Sequence, residues 1–507
     1  MPEPALPPNY LPFAALLRGE SGEDLQLDEP LWLTSAPGRL DLLGGPGERS
    51  GTASLAMPLA RSVYCAIQNR ADQEIRIRCL LPAARGGIRT WNGAVSDLYT
   101  KKGPPRSLAV LRQFFAETGH EWMMTLVASM LGLRRTRQLN TPKVGFSMVI
   151  WSRLPDETGF GERAAFGVST ALAFKASTGL AKKRVDGIQV ARAVVHGALE
   201  VLDEEIPLSE TLCSALGRRN CLLHIEHGIE PSMQWVPLPQ QCAVGAVDIG
   251  AVPEVAEGEL GPEARRKRLE LQAEMALAIL NNELKKDKKM PFTGWGRVAP
   301  KEWDKLKALV PSQIAGAEWL QLFRRSKDQA ELANLVDKDS TYRLRSIAEF
   351  SVDESERVRR FVSNVGEYAR TLREAFMVEA GRNLNRSQKA LSERVGLNTD
   401  AVEGIMADIK ARGRNEGMFG ARLADFGRSG VMAVLVHQSS RQKLRDLAET
   451  HRIRNAAHVN VVTDTEDGGV LSGWWNGILD PREPDPPAAA EEPAAKADGK
   501  AVRAKKG

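Results

Sequence analysis

The chain lacks most of the features that announce a function directly. Its 507 residues include five cysteines (Cys65, Cys79, Cys213, Cys221 and Cys242) and no C-x-x-C pair, so a thiolate zinc site has no ligand set. An odd set of cysteines also argues against a disulfide framework and for free thiols in a reducing cytoplasm. No apolar run approaches the roughly 20 residues that span a bilayer. The start, Met1-Pro2-Glu3-Pro4, has no basic segment leading into an apolar core, so neither a membrane span nor a signal peptide is expected. The net charge is only +5 and is spread along the chain, whereas nucleic-acid binding calls for Lys and Arg gathered on one face. There is no H-E-x-x-H, no G-x-S-x-G, no complete Walker loop and no repeat of fixed period.

What remains is an ordinary globular composition, 43% hydrophobic and 26% charged, on a chain long enough for two domains. Residues 1–30, rich in Pro and acids, read as a loosely ordered lead-in, followed by an N-terminal domain at 31–240 and a C-terminal domain at 241–482. The tail at 483–507 is mostly Pro, Ala, Glu and Lys, cannot bury enough apolar surface to order itself, and is expected to be disordered. Alternation predicts strands at 31–34, 54–57, 62–67, 74–79, 144–151, 221–225, 243–247 and 432–437. Helical spacing predicts helices over 106–132, 164–175, 185–202, 263–285, 354–376 and 400–411. The dense charge of 263–285 reads as a solvated helix face. His224 and His227 fall on opposite faces of a strand, which argues against a metal pair. Trp474-Trp475 reads as packing against the core.

Three blocks stand out in order. The first is Ser35-Ala36-Pro37-Gly38-Arg39-Leu40-Asp41-Leu42-Leu43-Gly44-Gly45, read as a turn at Ala-Pro-Gly-Arg. In the second, a turn-rich loop ends in Gly159-Phe160-Gly161-Glu162-Arg163-Ala164 and opens a helix, whose orphan amides and positive end suit an anion. The third runs from Gly417 to Gly430 and contains Gly420-Ala421-Arg422 before Asp425-Phe426-Gly427-Arg428. Together they resemble the three motifs of the GHMP small-molecule kinases, in the galactokinase and arabinokinase branch, and the resemblance runs from about Leu31 to His437. It implies an α+β fold of two domains, the N-terminal one containing a βαβ core and the C-terminal one ferredoxin-like, with the site in the cleft between them. It implies ATP and Mg2+ as cofactors, and phosphoryl transfer to the anomeric hydroxyl of a monosaccharide.

Carried over by resemblance, Arg39 and Glu210 would be the catalytic pair. Gly159, Gly161, Arg163 and Ala164 would hold the nucleotide, and Asp41, Gly45, Glu48 and Gly427 the substrate. The resemblance assigns no metal ligand. Where relatives have serines at the helix start, this chain has Glu162, which would repel a phosphate, and Arg163, which would neutralise one without metal, unless both only cap and solvate the helix; Ala198 stands at the position of a metal-binding Glu. Glu210 stands where relatives have Asp, and a displacement of about 1 Å can change a rate on the order of 100-fold. Glu354 and Arg357 match the branch's pattern, whereas Pro46 to Gly51 matches no sugar-selecting loop. Two readings follow: a sugar 1-kinase with a monosaccharide and a nucleotide as partners, or a catalytically impaired paralogue that senses a sugar or nucleotide, or scaffolds a protein partner, without cofactor chemistry. Neither reading calls for a membrane, and nucleic acid is not an expected partner.

Overall fold

A computed structural model describes residues 5–480 apart from 20–22, 83–86, 102, 140–143, 155–158, 179–184, 229, 250–259, 425–429 and 456–460. The expected disordered tail at 483–507, and Asp425 through Ser429 of the third block, lie outside the described residues. The remainder is α+β, as expected.

The larger sheet is built on β1 (Leu31–Leu43) and β2 (Ser54–Asn69), with β3 (Glu74–Leu80), β4 (Ile88–Ala94), β5 (Phe146–Ser152), β6 (Cys221–Glu226) and β7 (Ser232–Pro237). β1 reads as a near-continuous apolar run because both of its faces are covered. One face packs Ala36, Leu40 and Leu42 into the main core, and the other sets Leu31 and Leu33 into a second cluster. The expected turn at Ala36-Pro37-Gly38-Arg39 is instead part of this strand. The register slips between Pro37 and Arg39, where Pro37 has no N–H to give to a ladder. The two short strands expected at 54–57 and 62–67 are one strand, because β2 pairs β6 near its start, β5 near its end and β1 through most of its length.

Part of the expected loose lead-in packs against the larger sheet. Helix α1 (Leu11–Leu17) follows a short turn of helix, and Tyr10, Phe13, Ala14 and Leu17 bury completely against Tyr64 and Trp151. Phe13 lies 5.5 Å from Tyr64 and 6.0 Å from Trp151, ring centre to ring centre. The helix expected over 106–132 is split into α2 (Leu108–Glu117) and α3 (Met124–Arg135), because Gly119 takes a left-handed conformation between them. Three further helices finish this half: α4 (Glu162–Ser177), α5 (Gly187–Leu202, capped by Asp186) and α6 (Leu208–Leu216).

The smaller sheet uses β8 (Cys242–Asp248), and later in the chain β11, β12 and β13; between them β9 (Gln313–Ala315) and β10 (Thr341–Arg343) form a two-stranded ribbon. Its order is β11 (Met418–Leu423), β12 (Val431–His437), β8, β13 (Val461–Val462), all antiparallel. Helix α7 (Pro262–Lys286) and the segment to Leu344 bury their own cluster around Trp295, Trp303 and Trp319. The helix expected over 354–376 begins earlier, as α8 (Arg345–Thr371), and ends where Leu372 turns left-handed before α9 (Glu374–Ala390). α10 (Asp400–Arg412) follows and covers the other face of the small sheet. The last strand, β14 (Trp475–Gly477), returns to pair with β1, and Trp475 packs against the core as expected. No helix among the described residues is long and apolar enough to cross a membrane.

Phe13→Ala should lower the unfolding free energy by about 3–5 kcal/mol, the usual cost of emptying a buried phenylalanine site. Urea unfolding would measure it, and a change under 0.5 kcal/mol, the scale of a surface substitution, would return the lead-in to a loose role.

Candidate active site

β1 brings Arg39 into the interior, where the side chain is 1% exposed. Its Nη2 donates to Glu210 Oε1 at 2.8 Å, so the two residues assigned by resemblance to catalysis meet, 171 positions apart. Glu210 sits in the first turn of α6, where a carboxylate also suits the positive helix end. The Arg39 amide donates to Phe160 O at 2.7 Å, which ties β1 to the start of α4. Two glycines make that approach possible. A Cβ on Gly38 would lie 2.4 Å from Phe160 O, and one on Gly161, whose φ is +72°, would lie 2.8 Å from Arg39 Cγ. Gly159 is likewise left-handed, and Ala164 is buried one turn into the helix.

Opposite charges continue inward from the pair. Asp41 lies 3.9 Å from Arg39 and 3.7 Å from Arg422, which is fully buried on β11. Arg422 donates to Glu354 at 3.3 Å, and Glu354 also accepts from Ser387 Oγ at 2.7 Å, the Gly44 amide at 3.2 Å and Arg357 at 2.8 Å. Asp41, assigned to substrate, therefore lies within the protein's own ion network. Sequence reading placed Arg422, Glu354 and Arg357 without seeing that they meet.

A cavity of about 710 Å3 opens beside the start of α4. Its apolar wall includes Leu81, Trp122, Phe166, Val194 and Ile206, and its polar rim includes Glu162, Arg163 and Glu204. Volume and lining are those of a small-molecule pocket: mostly apolar, with a few convergent polar groups. Arg163 is exposed and pairs with Glu204 at 3.4 Å, while Glu162 accepts from Ser152 Oγ at 2.8 Å. Ala198 lines the same cavity from α5. Trp122 was read only as part of a helix; its place on a half-apolar face carried no signal of a pocket.

The loop after β1 is closed. From Asp41 to Ser50 every residue is buried except Arg49. Glu48, assigned to substrate, accepts from Ser209 N–H at 2.8 Å and Ser209 Oγ at 2.6 Å, so it caps α6 with both oxygens. Gly45 is buried within this loop. Arg49 meets Glu205 at 2.6 Å and Glu274 at 2.8 Å. The amides of Trp295 and Gly296 donate to Ser50 O and Gly51 O, each at 2.9 Å.

Most of the charge on α7 is at least partly exposed, but Arg266 and Glu270 depart from the expected solvated face and are each 3% exposed. Glu270 accepts the Gly47 amide at 3.0 Å, which holds α7 onto the loop. Burial, and next the Glu48 carboxylate, push the Glu270 carboxyl up to about 8, against the pull of Arg266, so it carries its proton at neutral pH. Burial lowers the pKa of His227, whose Nε2 pairs with Ser54 Oγ at 2.8 Å. The Cys213 thiol, three residues beyond Glu210, is pushed up to about 12 by burial and stays protonated. Among the described residues no group of three or more His, Cys, Asp or Glu could hold a metal ion.

No family model matches the chain, and no curated protein does. Solved structures do. Lactococcus lactis galactokinase complexed with galactose is similar over 92% of this chain and 99% of its own, at 12% identity and a TM-score of 0.64. Mevalonate kinase of L. major in complex with R-mevalonate covers 86% and 96%, at 12% identity and a TM-score of 0.48. Phosphomevalonate kinase of Streptococcus pneumoniae covers 86% and 100%, at 11% identity and the same score.

Glu270→Gln should flatten the pH dependence of stability. The raised pKa means that folding retains a proton, so the contribution of Glu270 to wild-type stability is fully present below about pH 4.5 and is lost as pH rises through about 8. The variant should gain on wild type across that interval in chemical denaturation, and parallel curves would count against a buried protonated Glu270. The fold that positions these residues, matched over nearly the whole galactokinase chain, is the GHMP kinase fold.

Proposed function

We propose that the protein is an ATP-dependent small-molecule kinase that phosphorylates a sugar hydroxyl. The observation that carries this reading is the Arg39–Glu210 pair, joined through Phe160 and Gly161 to the helix start that rims the large cavity. In this reading the nucleotide base lies against Trp122 and Phe166, and the phosphates lie at the first turn of α4. The helix end and Arg163 then supply positive charge.

Mg2+ in such sites is held by one or two carboxylates and the phosphates themselves. Glu162 and Glu204 on the cavity rim are donors of that type. Both already have partners, Ser152 and Arg163, so an ion arriving with the triphosphate would have to draw Glu204 away from Arg163, leaving that guanidinium to the phosphates. Such an ion would neutralise phosphate charge in the transition state. The protein's own part is positioning. Glu210 accepts the proton of the acceptor hydroxyl, and Arg39 holds that carboxylate in one place. Asp41 and Arg422 brace Arg39 from behind. The buried site excludes water, which would otherwise compete for the phosphoryl group.

The closed loop supports a second reading, nucleotide binding without transfer. Glu48 and Gly47 are bonded to Ser209 and Glu270, in the stretch that resemblance assigns to the sugar. One pair of measurements separates the two. ATP with Mg2+ should raise the melting temperature, and Arg163→Glu should abolish the shift. Phosphoryl transfer across a panel of monosaccharides should then fall about 100- to 10,000-fold in Glu210→Gln, the range for losing a general base, while the thermal shift is kept. A thermal shift with no acceptor in the panel would favour the second reading, and no shift with any nucleotide would end both.

A further inference from the structure

A second cavity, of about 610 Å3, lies in the other half of the chain between α9, α10 and the start of β11. It shares no lining residue with the cavity beside α4. Its wall is apolar: Val378 from α9, Met406 and Ile409 from α10, and Met418 and Phe419 from β11. Its rim is cationic, with Arg382, Lys410 and Arg414. Arg382 pairs with Glu379. Among the described residues, neither Lys410 nor Arg414 has a carboxylate within ion-pair distance, although both are exposed. The rim's one acid, Glu403, already accepts from Asn398 Nδ2 at 2.6 Å.

An anion lodged at this rim could take charge-assisted hydrogen bonds from both Lys410 and Arg414. A simple anion would leave the wall of methionine, phenylalanine and aliphatic side chains wet. An anion with an apolar body satisfies both parts, and the volume admits a drug-sized molecule. Apart from any activity at Glu210, we infer that this cavity binds a small organic anion. Its phosphate or carboxylate would lie between Lys410 and Arg414, and its aromatic or aliphatic body against Met406, Met418 and Phe419. The site abuts the smaller sheet, since Met418 and Phe419 lie on the strand that carries Arg422 into the interior ion network.

The test is a fluorescence titration of the full chain with 1-naphthyl phosphate, run beside 1-naphthol and inorganic phosphate. Wild type should bind the phosphate ester saturably at one site, and each control should bind at least about tenfold more weakly, the scale of one lost charge-assisted contact. The double variant Lys410→Glu/Arg414→Glu should weaken binding by at least that factor. So should Ala407→Trp, which fills the cavity from its exposed rim. Arg163→Glu, in the other cavity, should leave it unchanged. All three variants change exposed positions, and unaltered melting temperatures would confirm that they fold. The inference is overturned by no saturable binding, by equal binding of 1-naphthol, or by binding that Arg163→Glu abolishes and the double variant spares.

Discussion

Six charged side chains alternate in sign through the interior: Glu210, Arg39, Asp41, Arg422, Glu354 and Arg357. None of them would be stable there alone, because an unpaired charge away from water costs several kcal/mol, a large share of a domain's stability. Together they sum to zero, and each neighbour answers the last. The line starts on α6, crosses β1 of the larger sheet, passes to β11 of the smaller sheet and ends on α8. Aligning it requires both sheets and both helices to be in place, so the position of Arg39 depends on nearly the whole fold. Buried ion networks of this kind add little net stability over a packed apolar core. What this one provides is registry between two sheets that share no strand.

A second constraint acts on the loop after β1. Resemblance assigns this loop to the acceptor, yet it is covered by α7, which packs in a cluster of its own around three tryptophans. Glu270 and the backbone of Trp295 and Gly296 close over Gly47, Ser50 and Gly51. A sugar entering here would have to displace protein–protein hydrogen bonds with ones of its own. Glu48, assigned to substrate by resemblance alone, is taken up by structure: its carboxylate satisfies the helix start that carries Glu210. The cavity beside α4 shows no such closure.

Much of this was legible in the sequence, for identifiable reasons. The three blocks fall in order, and that collinearity pointed to the α+β fold; Glu210, named beside Arg39 by resemblance, does meet it. Charge in a helix was harder to read. Arg266 and Glu270 have the spacing of a solvated face, and only partners more than 60 and 220 positions away bury them. Composition also misled at the start of the chain, where Pro and acids hide Tyr10, Phe13, Ala14 and Leu17. Those four stand at i, i+3, i+4 and i+7, a helical stripe that was open to reading. The turn assigned to Ala36-Pro37-Gly38-Arg39 failed because a proline and a glycine mark a bulge in a covered strand as readily as a turn.

The return of β14 to β1 bears on how the chain is made. Synthesis proceeds from the N-terminus, so β1 is complete long before Trp475, Asn476 and Gly477 exist to pair with Leu33, Trp32 and Leu31. Until then one edge of the larger sheet stays open, and the pocket beneath Tyr10 and Phe13 lacks Trp475 and Leu479. An open edge invites pairing with other chains. The nascent chain therefore carries this unpaired stretch of β1 until β14 is made, and β14 acts as the clasp that closes it.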